Sequence, residues 1–206
     1  MSAIAAATNL YRTIVSSLEH LSGVPALMLR LILAPVMMQA GWNKFQGWEN
    51  TVAWFGNSEW GLGLPFPELM VALAAGSELV GGALLIPGLA TRFVAIPLIV
   101  TMLVAIFSVH WENGWLAVSD ASSWLANERV MEAVERKEKV KEILREHGNY
   151  SWLTGRGGVT ILNNGIEFAA MYFVMLFSLL CTGGGRYTSL DYYISLWARK
   201  KQAVES

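Results

Sequence analysis

Glu78 is a carboxylate inside an almost wholly apolar run, residues 69–88, about ten positions from either end. If that run crosses a bilayer, the carboxylate lies near the midplane, about 15 Å from each surface at helical rise. A charge there costs about 2.5–3.5 kcal/mol on insertion scales, so it needs a partner, a proton or a task. His110 is the second residue suited to proton chemistry, because imidazole titrates near neutrality and also binds metals. Standing alone beside Trp111, it equally reads as an interfacial side chain. Arg30 lies about six residues into an earlier apolar run, and depth counting places it within about 6 Å of the level of Glu78. An Arg30–Glu78 pair is therefore expected, either as a clip that fixes helix register or as a proton site. Gln39, Asn43 and Lys44 follow the first run, His110 follows the third, and Asn163, Asn164 and Glu167 open the fourth. These are expected to converge at one mouth of a bundle. Glu78 and His110 are thus the candidate proton carriers. Arg30, Gln39, Lys44, Arg92 and Glu167 are candidate substrate-binding or electrostatic partners.

The elements that must position these residues are four apolar runs, 24–40, 69–88, 93–109 and 166–182. A membrane-spanning helix needs about 20 such residues, so interfacial residues must complete the shorter runs. Hydrophobic residues make up 54% of the chain and charged ones only 15%, against about 25% charged in an average soluble domain. Too little polar sequence remains to cover four buried core helices in water. The expected fold is all-α: one four-span membrane domain over residues 1–206, a four-helix bundle with spans near 24–41, 67–88, 92–110 and 163–182. Residues 111–162 form an extramembrane loop carrying a helix. Gly76, Gly81 and Gly82 flank Glu78 and would let neighbouring helices approach closely, while Pro35 and Pro97 are candidate kinks.

Composition also excludes several kinds of chemistry. Net charge is −1, so no basic surface points to nucleic acid. Cys181 is the single cysteine, which rules out an intrachain disulfide, a CxxC pair and a Cys-rich metal site. A thiol relay would need a partner protein. There is no phosphate loop, HExxH helix or GxSxG elbow. His20, His110 and His147 are too far apart in sequence to form a motif, so no metal site is expected.

Four spans place both termini on one side, with Arg12, Arg92, Arg186, Arg199, Lys200 and Lys201 near the membrane there. The other side carries Lys44 and Arg156 near span ends, and its basic residues within 128–146 are balanced six to six by acids. That bias makes the termini cytoplasmic. Trp42, Trp48, Trp54, Trp60, Trp111, Trp115, Trp124 and Trp152 then fall on the opposite side, as an aromatic belt or a docking surface. Residues 1–23 do not read as a signal peptide, because the charges are mixed and no small-x-small cleavage site follows. Leu10, Ile14, Leu18 and Leu21 instead recur at helical spacing, as in an interfacial helix. Leu190, Tyr193, Ile194 and Trp197, followed by Arg199, Lys200 and Lys201, read as a second interfacial anchor, on the anionic inner leaflet. Residues 42–66 hold Gly and Pro turn formers and read as an ordered, irregular loop. Residues 121–147 read as a broken or solvated helix with Glu132/Arg136 and Glu135/Lys139 pairs, either a plain surface element or a partner-binding one.

Several segments, taken in order, carry a family resemblance. They are Arg30-Leu31-Ile32-Leu33, Gly41-Trp42-Asn43-Lys44-Phe45, Gly63-Leu64-Pro65-Phe66-Pro67, Glu78-Leu79-Val80-Gly81-Gly82-Ala83-Leu84-Leu85, Gly88-Leu89-Ala90-Thr91-Arg92, and residues 102–110. Together they resemble the DoxX family of bacterial four-span membrane proteins. The long loop and Asn163-Asn164-Gly165-Ile166-Glu167-Phe168 are similar to an HvfX-type subgroup linked to maturation of copper-binding ribosomal peptides. The resemblance implies a multi-pass protein of the bacterial inner membrane, surrounded by lipid and working with a protein partner or as a homo-oligomer. It implies a redox or metal-homeostasis subunit, with quinone as a candidate cofactor. Family does not fix function. An oligomeric transporter of a small solute, metal or peptide and a non-catalytic membrane scaffold both stay open.

Overall fold

The computed structural model describes residues 3–205. The regular structure is helical, and among the described residues the only extended pairing is an isolated bridge between Val118 and Leu162. The elements are α1 (Ala3–His20), α2 (Val24–Gln46), α3 (Trp48–Gly56), α4 (Pro67–Leu85), α5 (Thr91–Val104), α6 (Glu128–His147), α7 (Tyr150–Leu153), α8 (Glu167–Thr182) and α9 (Leu190–Glu205). A π-helical turn, Ala105–His110, and a short 3-10 turn, Trp111–Asn113, continue α5. Among the described residues, three helical stretches are long and apolar enough to cross a membrane: Val24–Gln46, Pro67–Leu85 and Thr91–Asn113. The fourth apolar helix, α8, has 16 residues, or about 24 Å at helical rise. This is the architecture of a multi-pass helical membrane protein.

The chain divides into two compact units, residues 1–101 with 174–206, and residues 102–173. In the first, α2 and α4 pack along their lengths through small residues. A Cβ on Gly41 would stand 2.7 Å from the Ala75 carbonyl oxygen and 3.0 Å from Glu78 Cβ. A Cβ on Gly82 would stand 2.7 Å from Met38 Cγ and 2.9 Å from the Ala34 carbonyl oxygen. Gly81 faces Val94 and Leu98 of α5 at 3.1–3.2 Å. Gly81 and Gly82 therefore play the close-packing role expected of them. Gly76 does not, because nothing lies within 4 Å of its missing Cβ. Pro35 and Pro97 both sit inside helices. Leu33, Met37, Val71, Leu85 and Leu98 fill this core.

The expected irregular loop at 42–66 is half helix. α2 runs on to Gln46, and α3 follows after Gly47 and packs on α4. Only residues 57–66 turn irregularly, pinned by Leu62 N–H to Trp54 O and Leu64 N–H to Phe55 O. Sequence reading misses α3 because it is short and follows a single-glycine break.

In the second unit α6 is one continuous helix. Asn127 caps it by accepting from the Val130 amide at 3.0 Å. Arg136 pairs with Glu132 as expected, at 3.1 Å. Lys139 pairs with Glu142, one turn onward, in place of Glu135. Residues 163–166, counted into the fourth span from sequence, precede α8. Their amides donate to the carbonyls of Ala117, Leu116 and Gly114, so the chain there is held to a loop and α8 starts at Glu167.

Candidate functional site

Glu78 is buried in the middle of α4, and its partner is Lys44 near the C-terminal end of α2. The ammonium donates to both carboxylate oxygens, at 2.6 Å to Oε2 and 2.9 Å to Oε1. Exposure of the two side chains differs sharply, 3% for Glu78 and 27% for Lys44. The pair therefore joins a sequestered anion to a cation that is open on one side. Lys44 lies one helical turn beyond Gly41, whose position abuts Glu78 Cβ. The side chain has only to reach back along its own helix, toward the helix N-terminus, as helical side chains do.

The expected Arg30–Glu78 pair does not form. Arg30 is fully buried, and its guanidinium donates to main-chain carbonyls instead. Nη1 bonds Leu85 O and Ile86 O at 3.0 Å each, and Nη2 bonds Thr188 O at 2.7 Å. The reason is register. Depth counting assumes that both helices start level, but close packing at Gly41 and Gly82 sets α4 so that Arg30 stands beside Leu85 and Glu78 stands beside Gly41. Arg30 and Gly41 are eleven residues apart, about 16 Å along a helix.

Around Arg30 the backbone ends of several helices are tied together. Leu85 ends α4, so Arg30 satisfies carbonyls that no intrahelical amide can reach. Gly88 turns the chain toward α5 with φ of +67°, and a Cβ there would strike Arg30 Nη1 and Ser189 Cβ. Glycine is needed both for the left-handed turn and for the space. Asp191, in the first turn of α9, accepts from the Ala90 and Thr91 amides at 2.6 and 2.8 Å, capping α5 from elsewhere in the chain. Arg92 donates to Cys181 O at 3.0 Å near the C-terminus of α8. Arg30 and Arg92, expected as partners of a carboxylate or substrate, both bind helix-end carbonyls.

Gln39 donates to Asn43 Oδ1 at 2.7 Å, one turn apart on α2. It also lines an open cleft of about 380 Å³ with Pro35, Met38, Trp42, Leu79 and Ile86. The walls are apolar apart from Gln39, and Leu79 is the chain neighbour of Glu78.

The second unit gathers the other predicted residues. The π-helical turn ends at His110, whose Nδ1 lies 2.9 Å from Asn164 O. A carbonyl can only accept, so Nδ1 carries the hydrogen of this bond. Asn164 adopts φ of +61°, and the same carbonyl accepts from Asn113 Nδ2 at 3.0 Å. Asn163 is buried and donates to Asn113 O and Leu116 O at 2.8 and 2.6 Å. Glu167 Oε2 accepts from the Ala117 amide at 2.9 Å. Asn163 and Glu167 thus hold loop backbone, and the second ring nitrogen of His110 is not used in its bond to Asn164 O. Among the described residues, no three His, Cys, Asp or Glu side chains gather where they could hold a metal ion.

Sequence reading missed Thr188, Ser189 and Asp191. Ser189 Oγ accepts from the Tyr192 amide at 3.3 Å, so Ser189 opens α9 as a serine N-cap. That serine before an acidic first turn is the signal that could have marked the segment.

Comparison with known proteins bears on the same stretch. A protein of Bacillus subtilis (strain 168) named "Putative oxidoreductase CatD" is 38% identical over 86 residues, 42% of this chain and 60% of that protein. An uncharacterized protein of Haemophilus influenzae is 36% identical over 98 residues, 46% of this chain and 62% of that protein. The chain thus spans less than two thirds of the length of these curated relatives. No solved structure matches it. The DoxX family model matches residues 26–111, which contain Arg30, Gln39, Lys44, Glu78, Arg92 and His110. Over that stretch the chain is similar to the DoxX family and to the Bacillus subtilis protein.

Proposed function

We propose that the chain is a subunit of a redox system in the bacterial inner membrane, with both termini cytoplasmic, in which Glu78 takes up and releases a proton against Lys44. The observation that carries this reading is the asymmetric pair, a carboxylate 3% exposed held by an ammonium 27% exposed. Protonating Glu78 removes the charge that holds Lys44, and Lys44 then has open space to turn into. Deprotonation restores the pair. Intramembrane carboxylates that work this way serve proton relays. The relative named as an oxidoreductase supports a redox setting.

Quinone is the acceptor that suits this site. Its reduction to quinol consumes two electrons and two protons, and an acidic group beside an apolar cleft can deliver protons. The cleft, lined by Leu79 and not by Glu78 itself, offers Trp42 for stacking against a planar ring and Gln39 for a hydrogen bond. Electrons come from a partner protein in this reading, since the single cysteine, Cys181, cannot form a thiol pair within the chain. Maturation of a copper-binding peptide is the alternative setting for the same pair, with the peptide-modifying enzyme as the partner. His110 is a second proton site, accepting at Nε2.

The test uses membranes from a strain in which this chain is replaced by Glu78→Gln. Reduction of a lipid-soluble quinone analogue is expected to be lost while protease protection shows normal insertion. Wild-type activity from a normally inserted Glu78→Gln protein would overturn the proposal.

A scaffold is the second reading. Trp124 and Trp152 are 91% and 78% exposed beside the solvated helix α6, a surface suited to a protein partner. Deleting α6 would then abolish partner co-purification, and Glu78→Gln would leave it intact.

A further inference from the structure

The two helices that leave the spanning segments, α1 and α9, both carry exposed apolar stripes. On α9 the stripe is Leu190, Tyr193, Ile194 and Trp197, between 45% and 67% exposed. Their spacing puts all four on one face. On α1 it is Leu10, Ile14 and Leu18, continued by Leu21 just past the helix end, all above 50% exposed. In a water-surrounded protein such faces would be a liability. Here the backbone fixes the level at which they stand.

The start of α9 is tied to the ends of three spanning helices. Thr188 Oγ1 donates to Gly23 O, at the entry to α2, at 3.1 Å. The Leu190 and Asp191 amides donate to Pro87 O and Gly88 O, in the turn that ends α4. Asp191 caps the entry to α5, and Arg30 holds Thr188. Helix ends of a multi-pass protein lie at the membrane surface, so α9 starts there, and α1 reaches the same place through Gly23. The charges follow suit. Asp191 is consumed by the cap, and Lys201 stands 5.9 Å over the Trp197 ring, with Arg199 and Lys200 exposed beside it. Among the described residues of α9, the remaining acid is Glu205, 3.9 Å from Lys201.

We propose that α9 lies along the membrane surface as a binding face for anionic lipid, its apolar stripe seated in the interface and Arg199, Lys200 and Lys201 on the headgroup phosphates. The cap at Asp191 and the Arg30 hydrogen bonds are its mooring to the spans. α1 lies along the same surface through its own stripe, without the cluster of cations.

The full chain is reconstituted into phosphatidylcholine nanodiscs carrying a fixed fraction of brominated lipid, either phosphatidylglycerol or phosphatidylcholine. The contribution of Trp197 is isolated as the difference between wild type and Trp197→Phe. Both lipids should quench it, with brominated phosphatidylglycerol stronger by about twofold, because each basic residue near the surface adds its own attraction for anionic lipid. In an Arg199→Gln/Lys200→Gln/Lys201→Gln variant the preference should vanish while quenching by phosphatidylcholine persists. Absence of Trp197 quenching by either lipid would place α9 in water and overturn the proposal. Equal quenching by both lipids in wild type, or a preference that survives the triple substitution, would overturn the anionic-lipid assignment.

Discussion

Arg30 and Glu78 are both buried charges on helices that cross the membrane, yet they are satisfied in opposite ways. Arg30 spends its guanidinium on three main-chain carbonyls, which cannot move without unwinding a helix end or a turn. Glu78 is met by a side chain, partly exposed, on a flexible stem. One charge is welded into the backbone and the other is held by a partner that can leave. The difference teaches where to look for chemistry. A buried charge bound to backbone groups is a structural joint, while one bound to a mobile counter-charge can change protonation without the fold changing.

The largest effect should follow from breaking the joint. Arg30→Met takes a donor from three carbonyls, of which Leu85 O keeps the Gly88 amide, at roughly 1–3 kcal/mol for each group left buried and unpaired. The expected result is a loss on the order of 3 kcal/mol or more, seen as a lowered unfolding temperature in detergent and a poor yield of inserted protein. Arg30→Lys should rescue little, because one ammonium on a thinner stem cannot replace the planar fork that reaches two sites at once. Full stability in Arg30→Lys would show that charge alone, rather than geometry, holds the joint.

At Glu78 the single and double substitutions should separate. Lys44→Met strands the carboxylate in an apolar environment, and removing one partner of a buried pair costs about 3–5 kcal/mol when the other stays charged. Glu78→Gln leaves a cation that can turn outward, so its cost should be much smaller. The double variant Lys44→Met/Glu78→Gln should then be more stable than Lys44→Met alone. Unfolding temperatures of the four proteins close the cycle. Equal losses from the two single substitutions would break the distinction between a fixed anion and a mobile cation.

Much of this was legible in the sequence, and the gaps have physical causes. Three helices long and apolar enough to cross a membrane, the carboxylate buried in one of them, Lys44 and His110 could be read from residue type and hydrophobic length. The partner of Glu78 could not, because pairing depends on helix register, and register is set by contacts such as those of Gly41 and Gly82 that no composition or period reveals. The job of Arg30 was hidden for a related reason. Its acceptors are carbonyls, which every residue has, so nothing in the sequence marks Leu85, Ile86 or Thr188 as targets. The π-helical turn before His110 inserts an extra residue into an otherwise apolar run, and such a run shows no periodic break.

Register can be tested directly by comparing two glycines on either side of the pair. Gly41→Ala places a methyl within 2.8 Å of main-chain atoms of α4, where overpacking typically costs about 1–3 kcal/mol. It should also pull Lys44 away from Glu78 and lower activity. Gly76→Ala meets nothing within 4 Å and should be neutral or stabilising by up to about 1 kcal/mol, from helix propensity. Matching effects at both positions, read from unfolding temperatures and quinone reduction, would detach the site from the α2–α4 contact.

The smallest effect should come from Asp191, whose carboxylate belongs to the same joint as Arg30 but acts as a cap. Asp191→Asn keeps one acceptor oxygen where two amides, of Ala90 and Thr91, are now served. Losing a cap costs about 1 kcal/mol, and the asparagine should lose only part of that. Unfolding temperature measures the loss, and amide hydrogen exchange at Ala90 and Thr91 locates it. A local rise in exchange with little global change is expected. If Asp191→Asn instead unfolds the protein as readily as Arg30→Met, the negative charge beside Arg30 carries the joint. The welded half of the comparison would then be an ion pair at a distance, built on the same principle as Lys44 and Glu78.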